Sequence, residues 1–538
     1  MSDEADAVVI GAGINGMVAA AELADAGWSV VLLDASERIG GFVASGEITL
    51  PGYVHDTFSS WHPLFVAGGG YAELSAALHE RGLEYANTNG AVTASVSERG
   101  TIVADRDPDR TAARFALPSD QDAYQVMLAE LDRRKGLIFG ALGSELRPRD
   151  IVRLVGRGLP ALGVGGLVEL TRNTVQSGRG FLRERFAGWE ADQLWAPWLL
   201  HAGLGPDNAS GGLTLPVLAA TVHGFGLPVV KGGAGQFIAA FERLLADQSV
   251  DVRLSAVADR IELSGGRAVA VHAAGRRIAA RRAVLASTST EALYGVLLDP
   301  ADVPERGRRA ALRHRPGRAA MQVHLALNAP LRWRDPTLDT VPLVHVSDGT
   351  ASTGIACAQA EAGLLPAAPT VAVGQQSILD ASRAPTGAAT LWIQLQEVPW
   401  APRGDAAGEI DVSRGWDEKV AAAYADRVIG RIERFAPAVR DAICATRVLT
   451  PPDLYAANRN AVAGDPYGGT GELDQSLFWR PGSGTGHRTG VGGLWHIGAF
   501  THPGPGLGGG SGHIVARRLL SGSGIRAAAR RRTERLGP

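Results

Sequence analysis

The opening stretch of the chain, Asp6 to Asp34, constrains the fold more than any other. An apolar run from Ala7 to Ile10 reads as a buried strand, and Ala19 to Ala26, with Leu23 inside it, as a small-residue helix packed against it. Gly11, Gly13 and Gly16 lie between them. Gly11 permits a tight turn, Gly13 lets backbone approach a pyrophosphate with no Cβ in the way, and Gly16 lets helix and strand pack closely. The phosphates then sit on the helix N-terminus, whose free N–H groups and positive dipole end favour an anion without a lysine. A second strand, Ser29 to Leu33, ends at Asp34. A carboxylate there can accept hydrogen bonds from an adenosine ribose and would repel a 2′-phosphate. In a chain with 69 glycines the GxGxxG spacing alone says little. Strand, helix, Gly27, second strand and terminal acid in that order make it a dinucleotide site.

Beyond Asp34 the chain runs through Glu37-Arg38-Ile39-Gly40-Gly41 into a loop from Leu50 to Pro63 rich in polar and aromatic residues, where a nicotinamide domain would begin its next βαβ unit. Together with Gly-Ala-Gly-Ile-Asn-Gly-Met-Val-Ala-Ala, these residues resemble FAD-binding proteins of the glutathione-reductase-type fold. More narrowly they resemble the phytoene desaturase (carotenoid desaturase and isomerase) superfamily, in its branch called pyridine nucleotide-disulfide oxidoreductase domain-containing protein 2. The far end agrees: Thr501-His-Pro-Gly-Pro-Gly-Leu507 is similar to the flavin-contacting signature of that superfamily.

The resemblance implies an α/β fold, a glutathione-reductase-type, Rossmann-like FAD-binding domain with an inserted α+β substrate domain. It implies that Gly40 and Gly41 pass the FAD pyrophosphate and ribityl chain, with Arg38 as a phosphate or ribityl neighbour or else an exposed arginine. Val257 would hold the adenine through its backbone, and Gly498, Pro503, Gly506 and Leu507 would contact the flavin. The loop with His55, Asp56 and His62 would pass near the isoalloxazine, which makes Asp56 and His62 candidates for chemistry; the alternative is that Asp56 caps a turn and the histidines make ordinary hydrogen bonds. His502, the one titratable residue in the C-terminal loop, either sits by the ring or braces the turn. A helix starting near Gly510 would aim its N-terminus at the flavin C2=O and N1, where negative charge gathers on reduction.

Between the two signatures the chain threads a second domain. Residues 1–70, 220–304 and 485–522 read as the FAD-binding domain, 71–219 (helical) and 305–484 (sheet plus helices) as the substrate domain, and 523–538 as a basic tail. Helices are expected at Ala72 to Arg81, Gln121 to Leu137, Pro148 to Phe186 and Trp416 to Phe435, with short strands in 91–118 and a β-rich stretch from Val250 to Ser287. Asp150 to Leu167, apolar and dotted with Arg153 and Arg157, can lie in a membrane interface or pack on its own domain. Trp189, Trp195 and Trp198 precede His201 and can line a pocket or fill a core. Lys231 can lie near the flavin or in solvent. Met321 to Leu327 and Thr390 to Gln396 alternate as strands whose polar faces, with Gln322, His324, Gln394 and Gln396, meet either a cavity or water.

Composition removes other classes. A net charge of −2 gives no general attraction for nucleic acid. Cys357 and Cys444 form no CxxC pattern, which argues against disulfides, structural zinc and thiol redox chemistry, and no metal-ligand spacing appears. The acidic N-terminus lacks a signal-peptide pattern and no run of apolar residues is long enough to span a bilayer, so the expected address is cytoplasmic, with peripheral membrane contact left open. The expected function is an FAD-dependent oxidoreductase that takes a hydride from an apolar or aromatic organic substrate to flavin N5, forming a double bond. With one dinucleotide fingerprint and no cysteine pair, O₂ or a quinone is the expected electron acceptor. A flavin amine oxidase, a redox-neutral polyene isomerase and a non-catalytic flavoprotein scaffold are the alternatives.

Overall fold

Strands buried on both faces, such as Val30–Leu33, need helices on either side, and that requirement sets the first layer of the molecule. The computed structural model describes residues 3–146, 148–481, 486–506 and 508–521. Leu507 and the basic tail at 523–538 lie outside them, as does the side chain of Arg157.

The first of two seven-stranded sheets draws on the beginning, middle and end of the chain. Its strands are β1 (Glu4–Ile10), β2 (Val30–Leu33), β3 (Asp251–Arg253), β4 (Ala258–Ser264), β5 (Arg267–Ala273), β6 (Arg276–Ala286) and β7 (Leu494–His496). β1 lies between β2 and β6, parallel to both, and β3 extends the parallel set beyond β2. β4, β5 and the start of β6 form the antiparallel meander read from the sequence. The end of β6 pairs in parallel with β7, Val284 opposite Leu494 and Ala286 opposite His496. Helix α1 (Ile14–Asp25) and helix α2 (Gly235–Asp247) bury Met17, Leu23, Phe237 and Phe241 in one core with Ile497 and Val515 from the far end of the chain.

The second sheet runs in the order Ile443–Leu449, Ala319–Leu327, Ala389–Val398, Val371–Gly374, Leu343–Val346, Ala91–Ser97, Gly100–Asp105. The strands expected in 91–118 thus join those of the later insertion, through the parallel pairing of Ala91–Ser97 with Leu343–Val346. One face packs on the helix Glu418–Glu433 through Val323, Ile393 and Tyr424. The other face turns Leu343 and Trp392 toward Phe181, Trp195 and Trp198 of the first insertion.

The helical stretch expected from Pro148 to Phe186 is two helices, Pro148–Val175 and Gly178–Arg185. The break falls where the Ser177 side chain accepts the Gly180 N–H at 3.1 Å, an N-cap that starts a new helix. Pro148–Val175 bends at Gly163 (φ 65°) and leaves Val152, Val164 and Val168 exposed. Among the described residues no helix is long and apolar enough to cross a membrane.

Candidate functional site

The C-terminal ends of β1, β2 and β6 meet where the strand order reverses, the position at which open α/β sheets bind ligands. Ile10 accepts the Ser287 N–H at 2.7 Å, and the Gly11 N–H donates to Leu33 at 2.7 Å. Gly11 takes a φ of +94°, and a Cβ there would meet the Ser287 carbonyl, so only glycine makes this turn without strain. A Cβ on Gly16 would overlap the Gly11 carbonyl oxygen, which fixes the close approach of α1 to β1. Gly13 differs from both: a Cβ there meets nothing within 4 Å, because the position faces open space. No side chain caps α1, so its first N–H groups point into that space.

The far end of the chain closes over this helix. Residues 510–521 form the expected helix. The Gly512 N–H donates to Asn15 Oδ1 at 3.3 Å, and a Cβ on Gly512 would overlap the Asn15 carbonyl. The next residue, His513, donates through Nδ1 to buried Glu22 at 2.7 Å. Ser511 Oγ accepts the Gly498 N–H at 3.0 Å and bonds Thr501 Oγ1 at 2.7 Å, which ties the Pro/Gly loop to its helix. Two helix N-termini therefore meet at one place, a site for a diphosphate and for a ring that gains negative charge.

Between them lies a cavity of about 270 Å³, far above the roughly 30 Å³ share of one water. One end is glycine backbone: Gly13, Gly40, Gly41, Ser287, Gly498 and Gly506. The other end is formed by Trp61, Trp198, His201, Gln322, Trp392 and Gln394, so the second sheet's polar face does meet a cavity. Among the described residues no Asp, Glu, Lys or Arg lines it. The donor set fits FAD. Backbone N–H groups and helix dipoles serve the phosphates, open space lies over Gly13, and an aromatic wall stands beyond the ring position.

The other residues singled out from the sequence fall as follows. Asp34 accepts the Ala12 N–H at 2.6 Å and the Ser36 N–H at 2.8 Å, locking the glycine loop to the end of β2. Arg38 is turned onto the carbonyls of Ile39, Gly41 and Val43, where it braces the Gly40-Gly41 turn. Val257 is exposed and its carbonyl accepts the Ala274 N–H at 3.3 Å. Pro503 packs close to Gly510 at the start of the last helix. Lys231 makes an exposed ion pair with Glu84 at 3.0 Å. Trp189 and Trp195 stay off the cavity, Trp195 as core.

Asp56, His62 and His502, left open from the sequence between facing the ring and bracing a turn, lie outside the cavity lining. Asp56 pairs with fully buried Arg383 at 2.7 Å, accepts the Ala234 N–H at 2.7 Å and is held by Ser60 Oγ. His62 is enclosed by Tyr85 and Phe237, bonded to the Tyr85 hydroxyl at 3.0 Å, and burial lowers its pKa to about 3. His502 Nε2 donates to the Ala141 carbonyl at 2.9 Å, and burial lowers its pKa to about 4. Each is bound into the frame around the site, and His62 Nε2 and His502 Nδ1 are buried without a partner among the described residues.

Three further features shape the wall, and two of them, Asn460 and Arg480, carry no sequence signal. Asn460 Nδ2 donates to the Ser287 carbonyl at 3.1 Å and its Oδ1 accepts the Ser289 N–H at 2.8 Å, holding the turn after β6. Buried Arg480 donates to the carbonyls of Tyr467, Gly468 and Ala499 and so fixes three cavity residues at once. His201 bonds His345 at 2.9 Å through Nε2, and its Nδ1 accepts from Gln396 Nε2 at 3.2 Å. Burial lowers the His201 pKa to about 4, so the wall stays uncharged at neutral pH.

Comparison with known proteins agrees with this geometry. The chain is 25% identical to pyridine nucleotide-disulfide oxidoreductase domain-containing protein 2 of Mus musculus, over 96% of this chain and 94% of that protein. It is 32% identical to the lycopene-forming phytoene desaturase of a Paracoccus strain over 145 residues, 26% of either chain. The structure of an oxidoreductase from Methanosarcina mazei shares the fold, with a TM-score of 0.62 at 14% identity over 96% of this chain and 99% of that one. The signature described as flavin containing amine oxidoreductase matches residues 14–425, most of the chain, and the protein is an FAD-dependent oxidoreductase belonging to that family.

Proposed function

We propose that the protein oxidises an uncharged, apolar or aromatic organic substrate by removing a hydride and a proton from adjacent positions, leaving a double bond. When bound, FAD supplies the two-electron acceptor, the proton passes to solvent, and O₂ or a quinone takes the electrons onward. The chain's own residues hold and orient. The N-terminus of α1 takes the diphosphate, Asp34 has lone pairs remaining for a ribose hydroxyl, and the last helix sets its positive end beside the ring. Trp61, Trp198 and Trp392 bury the substrate, exclude water and fix the C–H bond to be broken.

The observation that carries this reading is the uncharged aromatic wall. A cationic substrate would lose its hydration there and gain no counter-charge. Asp56, His62 and His502 fall outside the reading as a base, because none of them lines the cavity. The family signature itself favours a second reading, oxidation of an amine C–N bond. One experiment separates the two: anaerobic bleaching of the bound flavin by polyenes, terpenoids, aromatic precursors and amines. Bleaching by neutral compounds supports the proposal. Bleaching by amines alone, with hydrogen peroxide released in air, selects the amine oxidase.

A further inference from the structure

The floor of the substrate half is a row of amides on the second sheet. In the antiparallel pairing of Ala319–Leu327 with Ala389–Val398, Gln322 stands directly opposite Gln394, and both line the cavity. The next strand places Ala372 beside Gln394, so a methyl group is all that flanks the amide on that side. Amides at the centre of a buried sheet face are unfavourable unless something pairs with them.

Their partners account for only part of their capacity. Gln322 Nε2 donates to the Phe58 carbonyl at 2.7 Å, an acceptor that fixes which way the amide points. Its Oε1 is then buried, and among the described residues no protein group partners it. Among the described residues Gln394 has no side-chain hydrogen bond, and it is half-buried in the cavity wall. Tyr467, across the cavity, accepts from Gln396 Nε2 at 2.6 Å, which leaves its own O–H free to donate. The Nε1 atoms of Trp61 and Trp198, both in the lining, are buried donors without a protein partner. The wall thus offers a buried acceptor, an amide and hydroxyl and indole donors, with no charge among them.

Building on the proposed function, we propose that the substrate is an oxygenated apolar molecule, carrying a hydroxyl or carbonyl group that Gln322, Gln394 and Tyr467 recognise. A hydroxyl donates to Gln322 Oε1 and accepts from Gln394 Nε2 or the Tyr467 O–H; a carbonyl accepts from the latter two. A pure hydrocarbon would strip these groups of water and pair none of them, and a site built to bond a hydroxyl rejects the analogue that lacks it. An ammonium finds no counter-ion here.

The test uses the FAD-loaded full-length protein and a matched set of probes: 2,6-dimethyl-2,6-octadiene, geraniol, citral and geranylamine. Their dissociation constants come from perturbation of the flavin spectrum, and bleaching is followed anaerobically. Geraniol or citral should bind about tenfold or more tighter than the hydrocarbon, the effect of one or two net hydrogen bonds. In Gln394→Leu this preference should collapse with FAD content unchanged, and Gln394→Asn should restore part of it. Equal binding of hydrocarbon and alcohol, or binding of neither, overturns the inference; bleaching by the hydrocarbon would still support the parent reading. Binding and bleaching by geranylamine alone sinks both. Loss of FAD from Gln394→Leu would assign the amide to the cofactor and also overturn the inference.

Discussion

At the scale of single residues, Gly13 and Glu397 make opposite demands on their surroundings. Gly13 faces open space at the N-terminus of α1. Gly13→Asp should keep the fold, because a Cβ there meets no protein atom within 4 Å, yet it sets a carboxylate where the diphosphate is proposed to bind. The purified variant should be colourless, and a yellow protein with full flavin content would contradict the site. Glu397 is fully buried; Thr370 N–H donates to its Oε1 at 2.6 Å, its Oε2 has no partner among the described residues, and burial raises its pKa from 4.5 to about 7. Between those two values the folded protein holds a proton that the unfolded chain has released. Stability is therefore lost as pH rises from 4.5 to 7, by up to about 3 kcal/mol. Glu397→Gln keeps the acceptor and removes the titration. Its melting temperature should exceed the wild type's at pH 8 and match it near pH 4.5; a constant difference would show that the carboxyl does not titrate in this window.

At the scale of elements, Arg383 holds three segments together. It pairs with Asp56 at 2.7 Å and Asp380 at 3.2 Å and donates to the Val230 carbonyl at 2.6 Å, while Asp380 accepts the Gly232 N–H at 2.7 Å. Arg383→Ala leaves two carboxylates buried without their counter-ion, and urea unfolding should report a loss of roughly 3–5 kcal/mol. A loss below about 1 kcal/mol would mean that water reaches the pair. This staple also explains what could be read from the sequence. Gly11, Gly13 and Gly16 announce themselves because backbone geometry demands glycine at fixed spacing, and the match of Thr501 to Leu507 placed the far end beside them. Asp56 and His62 stayed undecided because a loop that borders a cofactor carries polar residues whether they face it or brace it. The alternation around Gln322 and Gln394 revealed which residues share a face. Which neighbour that face meets depends on the register between distant strands, and a single chain does not display it. Asn460 and Arg480 act through backbone carbonyls, which leave no residue pattern at all.

For the whole molecule, buried neutral histidines set the response to acid. Burial lowers the pKa values of His55, His201 and His496 to about 4 and those of His62 and His324 to about 3, from an ordinary 6.5. Below pH 6.5 the unfolded chain takes up protons that the folded chain refuses, so stability falls as pH drops from 6.5 toward 4. Against them stand Glu397 and the carboxyls of Glu22, Asp192 and Asp465, whose pKa values burial also raises. With five histidines acting in the same window, the melting temperature should peak near neutrality and fall on the acid side, and a flat profile between pH 6.5 and 5 would refute this. FAD adds a second dependence. In the proposed site it bridges both ends of the chain and needs the folded form, so a hundredfold excess over its dissociation constant should add about 2.7 kcal/mol, and stripping it should lower the melting temperature. The contact of Gly512 with Asn15 carries a consequence for biosynthesis. The nucleotide-binding loop and the segment that closes it lie 497 positions apart in the chain, so the loop is translated long before its partner. It must wait half built until that segment is made, and cofactor capture follows translation of the intervening chain rather than accompanying it.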